Sequence, residues 1–266
     1  MFQKIKSTAK YILNLYGIEI YNTNYRTIPL GCDWRYDISY YSHQDKIKVV
    51  FDVGANIGQT VNQIIPIFPT SKIYCFEPIP STFKVLCDNT KNLSNVKCFE
   101  IGLGDISGEF LITSEPLSGQ NTFLLEAKTS EYVTSVKVIS LDEFCESENI
   151  TSISVLKIDT EGFECKVLSG ACNMLSSKQI DFILTEVDFG KRPDNDPHGN
   201  FFEIFDYLKT FGYDVVAFYP DGLDKHGWRW GNVLFKSNHV LPRKNLIRRH
   251  NLKEIINLHS TYLNSK

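Results

Sequence analysis

From residue 47 onward, short apolar runs alternate with segments whose apolar positions recur at helical spacing. Residues 47–53, 72–76, 96–101, 153–158 and 180–187 predict buried strands, each closed by a glycine, a proline or an acid. Between them, residues 59–68, 81–89, 141–147 and 163–174 predict helices. Pro69 is expected to stop the first, and Pro80 to open the second. A further helix over 201–211 meets Gly212, a favoured residue just past a helix end. Residues 213–218 and 232–235 read as the last strands. Strands alternating with helices predict an α/β fold, a mostly parallel sheet with helices on both faces.

The rhythm breaks between 108 and 139. Residues 109–113 and 132–139 read as strands joined by a polar loop around 118–122, a pattern that suggests an antiparallel insertion beside the main sheet. Residues 188–200, rich in Pro, Asp and Gly, read as a loop.

Length and composition narrow the picture. A chain of 266 residues, 42% hydrophobic and 22% charged, suits one large domain with short extensions. The expected division is a helical or lid-like extension over 1–45, a main domain over 46–238 and a helical tail over 239–266. The net charge of −3 gives no reason to expect a nucleic-acid partner. The basic cluster from Arg243 to Lys253 reads as a solvated helix face. Residues 1–20 look like an amphipathic helix that packs on the domain or on a partner, so a homo-oligomer is left open. They lack the apolar core of a signal peptide, and no transmembrane run is found. None of the seven cysteines forms a C-x-x-C pair, which fits free thiols and a cytoplasmic location.

Parallel sheets bind ligands at the carboxyl ends of their strands, so those ends are where chemistry is expected. The first strand ends in Asp52-Val53-Gly54-Ala55-Asn56-Ile57-Gly58. Gly54 permits a tight turn, and Gly58 lets the next helix approach closely. The spacing is G-x-x-x-G. Asn56 stands where a dinucleotide loop needs its middle glycine, and no phosphate-binding Lys-Ser/Thr pair follows. Nicotinamide chemistry is thereby weakened. The second strand ends in Glu77-Pro78, where an acid accepts hydrogen bonds from ribose hydroxyls. The third leads to Gly102-Leu103-Gly104-Asp105: Asp105 suits an adenine amino group with Leu103 against the ring, or a simple turn. The fourth ends in Lys157-Ile158-Asp159-Thr160-Glu161-Gly162. Alternation puts Lys157 and Asp159 on one side, and so many charges at the end of an apolar strand are expected to be paired or functional. Glu186 ends the fifth strand on the same rim.

Together, Phe51-Asp52-Val53-Gly54-Ala55-Asn56-Ile57-Gly58, Phe76-Glu77-Pro78, Gly102-Leu103-Gly104-Asp105 and Leu156-Lys157-Ile158-Asp159-Thr160-Glu161-Gly162-Phe163-Glu164 resemble the FkbM family of methyltransferases. The resemblance runs from about Val49 to Lys236. It implies a Rossmann-like class I methyltransferase fold with a seven-stranded sheet. It also implies S-adenosyl-L-methionine as methyl donor and transfer to a hydroxyl of a sugar, polyketide or other secondary metabolite. Carried over by position, Asp52, Gly54, Ala55, Asn56 and Gly58 would line the methionine end. Glu77 and Pro78 would meet the ribose, and Leu103, Gly104 and Asp105 the adenine. Lys157, Asp159, Glu161 and Glu186 would sit near the transfer site, with Asp159 the first candidate for general base.

The expected acceptor is a small molecule or glycan, with a sugar hydroxyl foremost. Tyr219, Trp228, Arg229 and Trp230 form an aromatic and basic group that suits a sugar or a packed loop equally. His198 and His226 lie in loops that reach toward the cleft, or simply in solvent. No metal ligand is expected. The acids Asp159, Glu161 and Glu186 keep magnesium as a minor alternative, and a non-catalytic binding module is the rival of a different class.

Overall fold

Alternation within the apolar runs decides how the layers form. In a strand covered on both sides, successive residues must each find a core. Val50 packs into one buried cluster with Ile73, Cys75, Val155, Phe182 and Leu184. Phe51 and Val53 pack into the other, with Tyr74, Phe76, Leu156, Ile158 and Ile183. The computed structural model describes residues 29–113, 133–189, 200–224 and 227–243. In chain order it contains α1 (Trp34–Tyr41), β1 (Val49–Val53), α2 (Gln59–Ile64), β2 (Lys72–Phe76), α3 (Pro80–Thr90), β3 (Val96–Phe99), β4 (Gly102–Gly104), β5 (Gly108–Thr113) and β6 (Val133–Ser140). There follow α4 (Leu141–Ser147), β7 (Ile153–Ile158), α5 (Glu164–Ser169), α6 (Cys172–Ser176), β8 (Ile180–Asp188), α7 (Phe201–Thr210), β9 (Tyr213–Asp224) and β10 (Gly227–Ser237).

Seven strands form one sheet in the order β3-β2-β1-β7-β8-β10-β9. β10 runs antiparallel to both its neighbours, and the other pairings are parallel. Helices α1 to α3 cover one face and α4 to α7 the other. This is the Rossmann-like class I methyltransferase architecture that the resemblance implied. The insertion is a separate three-stranded sheet, β4-β6-β5, with β5 and β6 antiparallel. Among the described residues no helix is long and apolar enough to cross a membrane. The expected amphipathic helix over 1–20, the loop at 118–122 and the tail beyond 243 lie outside the described residues.

Several boundaries differ from the sequence reading, each for a local reason. The helix expected over 59–68 ends at Ile64, because Pro66 lacks a backbone donor and crowds the turn before it. The helix expected over 163–174 breaks after Ser169. Gly170 faces β4 so closely that a Cβ there would lie 1.8 Å from the Gly104 carbonyl oxygen. The strand expected over 96–101 stops at Phe99, and Gly102–Gly104 leaves to pair with Val138–Ser140 in the smaller sheet. β9 continues through Pro220, which the sheet tolerates because β9 is an edge strand.

The boundary expected at residue 45 does not separate α1 from the domain. Ile38 is fully buried among residues of β1, β7, β8 and α2. Asp37, also buried, accepts hydrogen bonds from the Tyr219 hydroxyl at 2.6 Å and from the Gly31 amide at 2.7 Å. The substitution Ile38→Ala is therefore expected to cost about 2–5 kcal/mol in a denaturant melt, as for other buried aliphatic truncations. An unchanged midpoint would mean that α1 is a detachable extension.

Candidate active site

A cavity of about 620 Å³ opens along the carboxyl ends of the main sheet, within the usual size range of small-molecule sites. Its walls begin at β2 and β1 and continue past β7 to β10 and β9, under the start of α1. Of the residues expected from the sequence, Gly54, Ala55, Asn56, Glu77, Pro78, Leu103, Lys157, Asp159 and Glu161 line it together.

The loop after β1 is held by its own backbone. The Gly54 and Ala55 amides both donate to the Phe76 carbonyl at 3.0 Å, and the Gly58 amide donates to the Ala55 carbonyl at 2.9 Å. The Asn56 amide donates to Glu77 Oε2 at 3.0 Å. These amides are the ones a dinucleotide loop would aim at a pyrophosphate, and here they are spent internally. Gly54 is obligatory. Its φ is +78°, and a Cβ would stand 1.8 Å from the Asp159 carbonyl oxygen. Asn56 also takes a left-handed conformation, with φ of +48°, which asparagine tolerates better than most residues.

Glu77 is buried, and its two oxygens accept one backbone amide each, from Asn56 and from Ile79, both at 3.0 Å. A carboxylate offers about four acceptor positions, so two remain for ligand hydroxyls. Burial pushes its pKa up to about 7, against the lowering effect of the two amides.

Lys157 lies in register with Asp52 on the adjacent strand. Its ammonium is 3.0 Å from Asp159 Oδ2 and 3.5 Å from Asp52 Oδ1. Burial disfavours the lysine charge, but Asp159 and Asp52 outweigh it and hold the pKa above the ordinary lysine value. Asp52 lies beneath the cavity floor and does not line it. It is fully buried, and neither carboxylate oxygen receives a hydrogen bond among the described residues. Burial raises its pKa, and the Lys157 charge opposes the rise.

Glu164 is a residue that the sequence reading left without a role. It is buried, and its Oε1 accepts from the Thr160 amide and hydroxyl at 2.9 Å and from the Gly162 amide at 3.1 Å. This clamp holds the loop in which Glu161 adopts a φ of +51°. The Thr160–Glu164 spacing of four does not match the three-residue spacing of a capping box, so no sequence signal marked it.

Other expected residues fall elsewhere. Gly58 lies behind the loop, against Leu86 and Thr90, and Gly104 packs against Phe163 and Val138. Asp105 is turned to Lys166, at 2.7 Å, and does not line the cavity. Glu186 is also outside the lining, yet its carboxylate comes within 4.8 Å of those of Asp159 and Glu161, an arrangement able to hold a metal ion. The sequence reading grouped these three acids at one rim as a minor magnesium alternative, and adjacency of β7 and β8 brings them together. Of the aromatic group, Tyr219 lines the cavity. Arg229 lies 3.7 Å from Asp188, and Trp230 covers Gly222. The Trp228 side chain, His198 and His226 lie outside the described residues. The sequence reading missed Asp33, Trp34, Arg35, Asp221 and Asn232, all of which line the cavity.

Comparison with known proteins agrees with this geometry. The methyltransferase FkbM domain matches residues 52–215, more than half of the chain. Hexuronic acid methyltransferase AglP of Haloferax volcanii is 32% identical over 146 residues, which are 54% of this chain and 58% of that protein. The chain thus spans less than two thirds of that relative's length. The 2-O-methyltransferase NoeI of Sinorhizobium fredii is 25% identical over 206 residues, 71% of this chain and 79% of that one. Among solved structures, the METTL16 methyltransferase domain aligns with 85% of this chain and 76% of its own, at 11% identity and a TM-score of 0.47. With the glycine loop, the acid at the end of β2 and the charged end of β7 assembled on one cavity, and that domain matched across all three, the chain belongs to the FkbM methyltransferase family.

Proposed function

We propose that this protein is an S-adenosylmethionine-dependent O-methyltransferase acting on a hydroxyl of a sugar or glycan. The observation that carries the reading is the convergence of Gly54–Asn56, Glu77 and the Lys157–Asp159 pair on one cavity. The internally bonded glycine loop suits a nucleoside ligand without a pyrophosphate. Glu77 has acceptor capacity left for two ribose hydroxyls. Leu103, fully buried apart from its cavity face, offers an apolar surface to the adenine. The name of the Haloferax relative, a hexuronic acid methyltransferase, supports a sugar acceptor, and that of the Sinorhizobium relative, a 2-O-methyltransferase, supports transfer to oxygen; the hydroxyl of a non-sugar metabolite is the alternative. Seven cysteines, none of them in a disulfide, support a place in the cytoplasm.

Bound in this cavity, S-adenosylmethionine would supply an electrophilic methyl group on a sulfonium. The residues of the chain then have separable tasks. Gly54 to Asn56 and Glu77 hold the donor half rigid. Such fixed positioning of reacting groups contributes on the order of 7–11 kcal/mol. Asp159 takes the proton of the attacking hydroxyl, and Lys157 orients its carboxylate from 3.0 Å. Glu164 fixes the loop on which that carboxylate sits. A second reading, metal assistance, is favoured by one observation, the approach of Asp159, Glu161 and Glu186. Oxygen ligands of this kind suit magnesium, which would acidify the acceptor hydroxyl.

Glu77→Ala is expected to weaken S-adenosylmethionine binding in calorimetry by about tenfold or more, the scale of a lost charge-assisted hydrogen bond. For the parent, affinity should fall as pH drops through about 7, because protonation removes an acceptor. A loss of roughly tenfold from pH 8 to pH 6 is expected, and it should vanish in Glu77→Ala. The sign for the ligand-free protein is opposite: a carboxyl whose folded pKa is raised stabilises the fold at low pH, and that contribution is lost as pH rises toward about 7. Asp159→Asn should leave donor affinity near the parental value while turnover falls about 10²–10⁴-fold. Unchanged activity after EDTA treatment would favour the carboxylate base alone; loss restored by Mg²⁺ would favour the metal reading.

A further inference from the structure

The cavity extends beyond the residues assigned to the donor, and its remaining wall has a distinct origin. The residues assigned above to the donor and to the reacting groups fall within the matched span, 52–215. The rest of the lining comes partly from outside it: Asp33, Trp34 and Arg35 before the span, and Tyr219, Asp221 and Asn232 after it.

The wall from α1 is firmly placed. Arg35 Nη1 donates to the Gln63 carbonyl at 3.0 Å on the α2 side, and Asp37 accepts from Tyr219 at 2.6 Å on the β9 side. The helix is thus strapped at both flanks, and Ile38 anchors its underside. Its first residues carry the chemistry of polyol recognition. Trp34 offers an indole face, which suits the C–H face of a pyranose. Asp33 and Arg35 form a fork, with Nε donating to Oδ1 at 2.9 Å. A guanidinium has five N–H donors, and those to Asp33 and Gln63 use three. Donor and acceptor capacity therefore remain side by side, as two adjacent hydroxyls require. Across the cavity, Asn232 Nδ2 donates to Asp221 Oδ2 at 2.8 Å, while the buried Asn232 Oδ1 has no donor among the described residues.

We propose that Trp34 and the Asp33–Arg35 pair, facing Asp221 and Asn232, form the subsite that selects the acceptor, a glycoside presenting neighbouring hydroxyls. The assignment rests on the reading of the protein as a sugar O-methyltransferase. It makes the segment before the family match a determinant of specificity.

The test uses the full chain, S-adenosylhomocysteine and a panel of methyl hexopyranosides and methyl hexuronosides. Saturation-transfer NMR reads glycoside binding, calorimetry reads S-adenosylmethionine affinity, and transfer of a labelled methyl group reads KM and kcat. In Trp34→Leu and Arg35→Lys the glycoside KM should rise at least tenfold, and the saturation-transfer signal should fall in step. Donor affinity should stay within twofold of the parent. Trp34→Phe, which keeps an aromatic face, should lose less than Trp34→Leu. Should Trp34→Leu fail to fold in a thermal melt, Arg35→Lys carries the test, because it keeps charge and length while losing the fork. Variants with parental glycoside KM, or variants that lose donor and glycoside affinity together, would overturn the assignment. A parent that binds S-adenosylhomocysteine but no glycoside of the panel would overturn the sugar reading, and the assignment with it.

Discussion

The ammonium of Lys157 is the interaction on which the site depends. It sits on β7, in the middle of the sheet, beside the buried carboxylate of Asp52. Asp52 is fully buried and receives no hydrogen bond among the described residues. Leaving such a charge unpaired costs about 3–5 kcal/mol. The lysine therefore serves the fold from below, at 3.5 Å from Asp52, and the site from above, at 3.0 Å from Asp159. The backbone repeats the coupling. The Asp159 amide donates to the Val53 carbonyl, and the Asp159 carbonyl occupies the space that a Cβ on Gly54 would need. The loop that would hold the donor and the carboxylate that would take the proton are thus set by one contact between β1 and β7.

The sheet and its ligand-bearing edge were legible in the sequence because both depend on local patterns. Apolar runs such as 72–76 and 153–158 end abruptly in Glu77 and Asp159, and only a buried strand emerging at a polar rim reads that way. What the sequence hid depends on partners far along the chain. Asp37 and Tyr219 are 182 positions apart, yet their hydrogen bond draws α1 over the cavity. Residues 31–41 contain no glycine loop or strand-end acid, so nothing marked Trp34 or Arg35 as site residues. Asp105 carried the right residue type at a plausible place, but Lys166, one turn into α5, claims it. The misjudged helix ends have a simpler source. The apolar spacing continues through Phe68, but Pro66 ends the helix two residues before itself.

The cavity also divides by origin and by kind of contact. The side proposed for the donor is made largely of main chain: amides of the β1 loop, a carboxylate held by two amides, glycines that admit no side chain. Such a surface changes little when side chains change. The side proposed for the acceptor is made of side chains from α1, β9 and β10. A scaffold built this way can keep one donor while its acceptor varies.

Topology explains why the two halves meet at Asp159. The strand order runs β3-β2-β1 in one direction and β7-β8 in the other, so the order reverses between β1 and β7. The helices that follow these two strands go to opposite faces: α2 buries Val61 and Ile64 in one core cluster, and α5 buries Val167 and Leu168 in the other. Diverging connections open a crevice at this point, and ligands of open α/β sheets bind there. Gly54 ends the strand on one bank of the crevice and Asp159 the strand on the other. A donor laid along β1 and β2 and an acceptor entering under α1 from the side of β9 and β10 can touch only where the banks meet. The carboxylate proposed as base is therefore placed by the winding of the chain, and Lys157 holds it there from 3.0 Å.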